Sequence, residues 1–268
     1  MRKKLLIICM FLLIFTVIVV SYNIINGIIN ENREKEIARI NRINEIRGKE
    51  IIIPISEDIE KEKIAWTNTS SAFTRGDMSN KYTIAENAEY IIIGTVNSIE
   101  GMSNYNPTTG TYVMARTVGT IKVDKILKGD LKEDVIPFVR LGGTLPIIEY
   151  EKSLPAAHRE KVGLNKLTKE EKENKYVKET MEGDISIENG KTYLMYISYS
   201  TYYERYSIEF VQYGLREVES TALTSESKIL NASTKSLNSN DCKTIKVKNN
   251  TTGKYETLKE VLPNEYTR

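Results

Sequence analysis

Apolar residues are distributed very unevenly along the chain. Residues 5–20, LLIICMFLLIFTVIVV, contain 15 apolar residues out of 16, and the preceding residues 2–4, RKK, are all basic. A basic start followed by a long apolar run is typical of a secretion signal or a membrane anchor. With its less apolar continuation the run is long enough to cross a bilayer at a tilt. We therefore predict one N-terminal transmembrane helix within residues 1–30.

A cleavable signal peptide is the alternative for this segment, with Val19 and Ser21 at the −3 and −1 positions of the cleavage site. Basic residues flank the apolar run on both sides, so the positive-inside rule does not settle the orientation. Because a signal-like segment at the extreme amino terminus normally engages export, we expect the body of the chain outside the cytoplasm. The expected location is the cell membrane, single-pass, or the exterior if the signal is cleaved.

Residues 31–81 are predicted to connect the anchor to the body. In residues 31–50 charged side chains alternate with regularly spaced isoleucines, which predicts a helix ending near Gly48. The three-residue isoleucine spacing drifts around a helix and is not a heptad repeat. We interpret the helix as a juxtamembrane stalk, with a dimerising or lipid-surface helix as the alternative. Residues 51–80 mix the apolar IIIPI with polar Thr, Asn and Ser residues, and Pro54 and the TNTSS run predict a linker.

Residues 82–268 carry the alternation of apolar and polar positions that is typical of β-strands. Residues 112–127 would form an unusually long strand, and Gly119 near its middle predicts a bend of the kind that small barrels need. Residues 103–110 are predicted to be a loop. Further strands are predicted at 90–99, 135–141, 184–187, 191–200, 203–211, 214–219 and 244–248.

Residues 144–183 interrupt the strand pattern with a charged stretch that is predicted to be helical. Ser153 is expected to cap a first helix, 154–162, and a capping box at Thr168 begins a second helix that runs to about Glu182. The resulting fold class is mainly β. We predict a small antiparallel OB-like barrel with a helical insertion, or, as the second choice, a two-sheet sandwich.

The charge balance and the metal-binding residues narrow the classes of function. The chain has 38 Lys and Arg, 36 Asp and Glu, and a net charge of +2. It therefore lacks the strongly basic character of nucleic-acid-binding proteins, and no nucleic-acid partner is expected. With one histidine and two cysteines, an ordinary zinc site is not expected either. We assign no metal and no cofactor.

Three candidate catalytic features are weak. The segment 183–192, GDISIENGKT, ends like a phosphate-binding loop, but Ile185 stands where that motif requires glycine. His158 lies in a charged helical segment, and no nucleophile-elbow motif accompanies it. Cys242 has no base specified beside it. We assign no catalytic residue, and a cell-envelope enzyme with carboxylate or metal chemistry not visible in the sequence stays as the alternative.

Tyrosine is concentrated in residues 193–206, which contain six of the 16 in the chain. By strand alternation Tyr193 and Tyr199 share one face and Tyr196 lies on the other, and we expect these side chains to form part of the barrel wall. Tyr202 and Tyr203 fall at the tip of a predicted hairpin. We expect both to be exposed and to bind a protein or a glycan, since tyrosine is frequent in binding sites.

Four short segments carry a resemblance to known proteins. They are AEYIIIGTVNSIE (88–100), TIKVDKILKGD (120–130), RLGG (140–143) and ENGKTYLMYI (188–197). In this order they resemble uncharacterised exported or membrane-anchored proteins of Gram-positive bacteria and, more distantly, the netrin-like OB barrel of tissue inhibitors of metalloproteinases. The resemblance implies the barrel. It does not imply inhibition, because the amino-terminal cysteine and disulfides of that family are absent.

These observations together predict a membrane-anchored, extracytoplasmic, non-enzymatic domain that binds a protein or an envelope component. A third hypothesis is a structural assembly part that oligomerises through the helix of residues 31–50.

Overall fold

The computed structural model describes residues 2–54, 63–70, 77–219 and 241–267, with side chains from residue 20 onward except those of Asn23 and Asp241. The chain divides into two units, Met1–Lys49 and Glu50–Arg268.

The first unit is a single helix, α1 (Arg2–Gly48). Ion pairs one helical turn apart, such as Lys35 with Glu31, stabilise its charged half. The apolar run of the predicted anchor lies, up to residue 19, outside the residues whose side chains are described. In the described portion of the chain, none of the helices has the length and apolar character that a membrane crossing requires.

The second unit is mainly β. In chain order its elements are β1 (Ile64–Ser70), α2 (Lys81–Asn87), β2 (Tyr90–Asn106), β3 (Thr111–Lys128), β4 (Val135–Leu141), β5 (Gly143–Pro146), α3 (Ile147–Tyr150), α4 (Ala156–Lys161), α5 (Lys169–Asn174), β6 (Tyr176–Met181), β7 (Thr192–Ser200), β8 (Arg205–Ile208), α6 (Val211–Gly214), β9 (Leu215–Glu217), α7 (Asp241–Thr244), β10 (Lys246–Lys248), β11 (Tyr255–Thr257) and α8 (Leu258–Val261).

The main sheet has six strands in the order β2-β3-β4-β8-β7-β9, and β7 also pairs with β2. The pairings therefore lead from β2 through β3, β4, β8 and β7 back to β2. Between β4 and β8 the described ladder consists of Phe138 with Tyr206 and Val139 with Ser207, so the barrel is not closed evenly. The pairing of β4 with β8 is parallel, because the chain passes through the insertion and β7 between these two strands. The prediction of an antiparallel barrel did not include this parallel pair.

The β2–β3 hairpin is the longest feature of the sheet, and other residues approach its Gly119 closely. A Cβ atom at Gly119 would collide with the backbone oxygen of Ser98 and with the ring of Phe138. Only glycine permits this close approach of strands. The hairpin is longer than predicted, because β2 continues through residues 103–106, which were expected in a loop, and Asn106 pairs with Thr111.

Alternation along the strands separates two hydrophobic cores. Ile92 of β2 lies in a core inside the ring, together with Tyr193, Met195 and Phe138. The neighbouring Ile91 and Ile93 lie on the opposite face with Leu194 and Tyr196, where α2, β10 and α8 cover the sheet. The predicted division of Tyr193 and Tyr196 between the two faces of one strand is confirmed.

A second sheet, β1-β6-β5, corrects two of the sequence predictions. Strand β1 lies within residues 51–80, which were predicted to be a linker, and it pairs in parallel with β6. The predicted capping box at Thr168 is present, but helix α5 ends at Asn174 and not near Glu182. The following residues form β6, in which Val177 and Glu179 are buried, and the many charged residues of this stretch obscured that alternation.

Two smaller expectations are also wrong. Residues 184–187 are not a strand, although Ile187 packs in the inner core without pairing. Ser153 does not cap α4: its hydroxyl donates to the backbone oxygen of Tyr150 (2.7 Å), and Pro155 occupies the N-cap.

Candidate functional site

Two turns meet at one end of the main sheet and form a surface that we call the tip, residues 106–111 and 200–204. The first turn joins β2 to β3. The side-chain oxygen of Asn106 accepts hydrogen bonds from the backbone N–H groups of Thr108 (3.0 Å) and Thr109 (3.2 Å), which fixes the turn. The second turn joins β7 to β8, and the backbone N–H of Tyr203 donates to the oxygen of Ser200 (3.3 Å) across it.

A side chain of the first turn is bonded directly to the second. The hydroxyl of Thr108 donates to the backbone oxygen of Tyr202 (2.7 Å). Glu204 closes the second turn with φ = 49°, a left-handed conformation that is uncommon for a residue other than glycine. Its buried carboxylate accepts a hydrogen bond from the hydroxyl of Tyr199 (2.6 Å), which helps hold that conformation. The two turns therefore form one ordered surface.

The two tyrosines that the sequence predicts as exposed have opposite environments. The side chain of Tyr202 is 57% exposed, whereas that of Tyr203 is only 9% exposed. The Arg116 guanidinium lies 4.6 Å from the centre of the Tyr203 ring, and Val118 and Val139 pack around that ring. Burial raises the pKa of Tyr203. Tyr202 is thus accessible to solvent, whereas Tyr203 is buried and supports the turn from beneath.

Behind the tip, Arg205 connects three segments of the chain. Its guanidinium contacts the carboxylates of Glu50 and Glu100, each at 2.8 Å, and Nη1 donates to the backbone oxygen of Gly119 (3.4 Å). The segment 50–53 that contributes Glu50 also forms a bridge with β2, between Ile53 and Met102. Strand β8 begins at Arg205, directly after the tip. At this residue it is therefore bonded to segments that are distant along the chain.

The segment 50–53 approaches β2 at Gly101. This glycine has φ = 151°, and a Cβ there would collide with the backbone oxygen of Ile53. The backbone of Ile53 exchanges two hydrogen bonds with Met102, of 2.8 and 3.0 Å. A side chain at residue 101 would therefore push this segment away from the sheet.

Glu179 is a buried acid of β6 whose carboxylate accepts two hydrogen bonds. One carboxylate oxygen accepts from the backbone N–H of Ala115 (2.7 Å), and the other accepts from the amide of Asn68 (3.4 Å). Burial raises the pKa of this carboxyl. Because the Glu179 carboxylate of β6 accepts the hydrogen bond of Ala115 in β3, it links the second sheet to the main sheet.

The other buried acid of the insertion region is held by a cation. Arg140 and Asp184 form an ion pair with both side chains almost fully buried. Burial raises the pKa of Asp184, and the neighbouring Arg140 partly offsets that effect. Glu50, Glu179, Asp184 and Glu204 are thus each engaged by a specific donor.

The candidate catalytic features of the sequence lie on different elements. His158 is exposed on α4, and Cys242 is buried in α7. In the segment ending in GKT, Thr192 begins strand β7 and Lys191 contacts Glu188 (3.0 Å). Across the described ranges, no group of three or more His, Cys, Asp or Glu side chains is placed to hold a metal ion.

The sequence predicted the exposure of Tyr202 but did not indicate the buried polar contacts of Arg205, Glu50 and Glu179. The signal for Glu179 is its place beside Val177 and Met181 on one face of an alternating segment, which puts a carboxylate among apolar neighbours. The pairing of Glu50 with Arg205 has no local signal, because 155 residues separate them.

Comparison with known proteins adds no further constraint: no protein-family model matches the chain, and neither a curated protein nor a solved structure is detectably similar to it.

Proposed function

We propose that this protein is a membrane-anchored, extracytoplasmic, non-enzymatic domain that binds a component of the cell envelope through the tip. The observation that carries the proposal is the exposed ring of Tyr202, held on a surface where the two turns are joined by the hydrogen bond from Thr108. An ordered turn lowers the entropy cost of binding, and an exposed tyrosine supplies a large contact area.

The proposed architecture is a small OB-like barrel formed by β2, β3, β4, β7 and β8. The return of the pairing from β7 to β2 supports it. So does the position of the insertion between β4 and β7, the third and fourth of these strands along the chain. In OB folds the loops between strands 1 and 2 and between strands 4 and 5 bind ligands. The corresponding loops are the two turns of the tip, in agreement with the resemblance to netrin-like exported proteins.

The proposed location rests on the N-terminal segment. Residues 2–20 combine a basic start with an apolar run. Farther along α1 the side chains remain apolar and more than half exposed on several faces of the helix, at Val20, Tyr22, Ile24, Ile25, Ile28 and Ile29. Lipid would cover such side chains without requiring one particular face. The protein is then anchored with its body outside, or secreted if the segment is cleaved.

A topology reporter tests the location. A phosphatase that is active only outside the cytoplasm is fused after Arg268 of the full chain, and a second fusion carries a reporter active only inside. The proposal expects activity of the first fusion and silence of the second. The reverse pattern would contradict the location and leave the binding proposal to be tested in the other compartment.

A sedimentation assay tests binding. The purified full chain in detergent micelles is mixed with isolated cell envelopes from which membranes have been extracted, and the bound fraction is measured. Tyr202→Ala is expected to lower the apparent affinity by roughly tenfold, in the range of a binding hot spot. The matched control is Tyr82→Ala, which removes a ring of 53% exposure on α2, away from the tip. Equal binding by the two variants would overturn the proposal.

A further inference from the structure

We propose that the tip binds an uncharged glycan. This inference rests on the proposed function and adds the chemical class of the ligand. It follows from the charge, the hydrogen-bonding groups and the size of the tip.

The tip presents no charge to solvent. Apart from tyrosine, the one ionisable residue among 106–111 and 200–204 is Glu204, whose carboxylate is buried and accepts a hydrogen bond from Tyr199. The nearby cations are engaged elsewhere, Arg116 over the ring of Tyr203 and Arg205 with Glu50. A polyanion such as a nucleic acid needs accessible lysine and arginine to replace its counterions. The surface therefore suits a ligand without net charge.

The exposed hydrogen-bonding groups of the tip are mainly threonine hydroxyls. Thr108, Thr109, Thr111 and Thr201 are exposed. Thr108 already donates its hydrogen to Tyr202, and the hydroxyls of Thr109 and Thr111 share a hydrogen bond of 2.7 Å. Because each hydroxyl has one hydrogen and two lone pairs, these side chains can still both donate to and accept from a ligand. Sugar hydroxyls, which also donate and accept, are matching partners.

The ring of Tyr202 supplies the apolar part of the surface. The C–H groups on one face of a pyranose are apolar, and a single exposed aromatic ring matches the width of one sugar residue. Stable protein partners bury about 800 Å² on each side and centre on several anchors that exclude water. The tip offers one exposed aromatic residue among hydroxyls, so a glycan fits it better than a protein surface does.

The test titrates the full chain in detergent micelles with the hexamer of N-acetylglucosamine, followed by calorimetry. Two further probes are the glucosamine hexamer, which is cationic, and a heparin hexasaccharide, which is anionic. We expect saturable binding of the acetylated hexamer, weakened roughly tenfold by Tyr202→Ala and unchanged by Tyr82→Ala. We expect weaker binding of both charged probes.

Two outcomes would overturn the inference: no binding of the acetylated hexamer, or binding that Tyr202→Ala and Tyr82→Ala leave equal. If envelope sedimentation still depends on Tyr202 in the absence of hexamer binding, the proposed function stands and the ligand is not this glycan. If sedimentation also loses its dependence on Tyr202, both proposals fail. A preference for the heparin probe would contradict the argument from charge.

Discussion

Arg205 and Glu50 form a buried ion pair in which Nε and Nη2 of the guanidinium both contact the carboxylate, at 3.1–3.2 Å and 2.8 Å. Their side chains are 6% and 3% exposed, whereas that of Glu100, the second acid on Arg205, is 35% exposed. Arg205 directly follows the turn that carries Tyr202. The order of the tip is therefore expected to depend on the contact between Glu50 and Arg205.

Removal of the Glu50 charge should destabilise the second unit. Glu50→Gln leaves a buried guanidinium with only the partly exposed Glu100 to balance it, and we expect a loss of roughly 3 kcal/mol in the free energy of unfolding. Glu100→Gln is the matched control and should cost less than about 1 kcal/mol, since that carboxylate is solvated. Urea unfolding followed by the fluorescence of Trp66, the sole tryptophan, measures both. Equal losses in the two variants would contradict the expectation that Glu50 stabilises the fold more than Glu100 does.

The hydroxyl of Tyr196 is buried and, among the described residues, has no hydrogen-bond partner. An unsatisfied buried hydroxyl costs free energy, so Tyr196→Phe should stabilise the fold by about 1 kcal/mol. The control is Tyr255→Phe, an exposed residue at which no change is expected. A loss of stability in Tyr196→Phe, measured by the same urea unfolding, would reveal a partner for this hydroxyl.

Because the hydroxyl of Tyr196 is buried, we also expect this residue to make the fold less stable at alkaline pH. Burial raises the pKa of Tyr196 to about 12, from 10.0. The unfolded chain therefore loses this proton first, and stability falls as the pH rises from 10 towards 12. The loss amounts to roughly 2–3 kcal/mol for this group. In Tyr196→Phe the decline should be smaller but still present, because burial also raises the pKa of Tyr193 to about 12. An unchanged decline would contradict the assignment.

Because Glu179 is buried, its contribution to the stability of the fold should fall as the pH rises. A carboxylate in a surface ion pair has the opposite effect. Its pKa is raised above 4.5 by burial, so the folded chain holds the proton more tightly than the unfolded chain. Its contribution is most favourable below pH 4.5 and declines as the pH rises through the folded-state pKa. Glu179→Gln should remove this decline, because an amide does not titrate, and its oxygen can still accept from the backbone N–H of Ala115. The matched control is Glu170→Gln on the exposed face of α5, which should leave the decline unchanged.

Truncation of the same side chain separates its charge from its hydrogen bond. Glu179→Ala leaves the backbone N–H of Ala115 without its acceptor and should cost about 1–3 kcal/mol at any pH. The midpoints of urea unfolding at acid and neutral pH measure this loss of stability. Equal stability of Glu179→Ala and Glu179→Gln at both pH values would show that the hydrogen bond to Ala115 contributes nothing.

The close approach at Gly119 should not tolerate a side chain. Gly119→Ala places a methyl group against the Ser98 oxygen and the Phe138 ring, and we expect a loss of at least about 2 kcal/mol. Gly48→Ala is the control, because a Cβ at that position in α1 would meet no atom within 4 Å beyond its chain neighbours and the backbone of its own helix. Thermal unfolding monitored by circular dichroism compares the two, and a Gly119→Ala protein as stable as the control would contradict the close approach.

The local pattern of the sequence was sufficient for the elements that depend on neighbouring residues. Alternation placed Tyr193 and Tyr196 on opposite faces of β7, and the capping box at Thr168 marked the start of α5. The exposure of Tyr202 followed from its position in a turn. In each case the signal lies within a few residues of the structure that it predicts.

The remaining features depend on contacts between distant segments. Strand β1 exists because it pairs with β6, more than a hundred residues later, and its polar sequence alone resembles a linker. Tyr203 is buried because Arg116 of another strand lies over its ring. Neither partner can be identified from the residues around β1 or Tyr203, so the pattern alone could not locate them.

The most direct test of the tip as a binding surface is hydrogen–deuterium exchange of the full chain with and without extracted cell envelopes. Because the hydroxyl of Thr108 joins the two turns, bound envelope should slow exchange in residues 106–111 and 200–204 together, and Tyr202→Ala should abolish the effect. Protection confined to other segments, or protection of the tip that persists in Tyr202→Ala, would contradict the account.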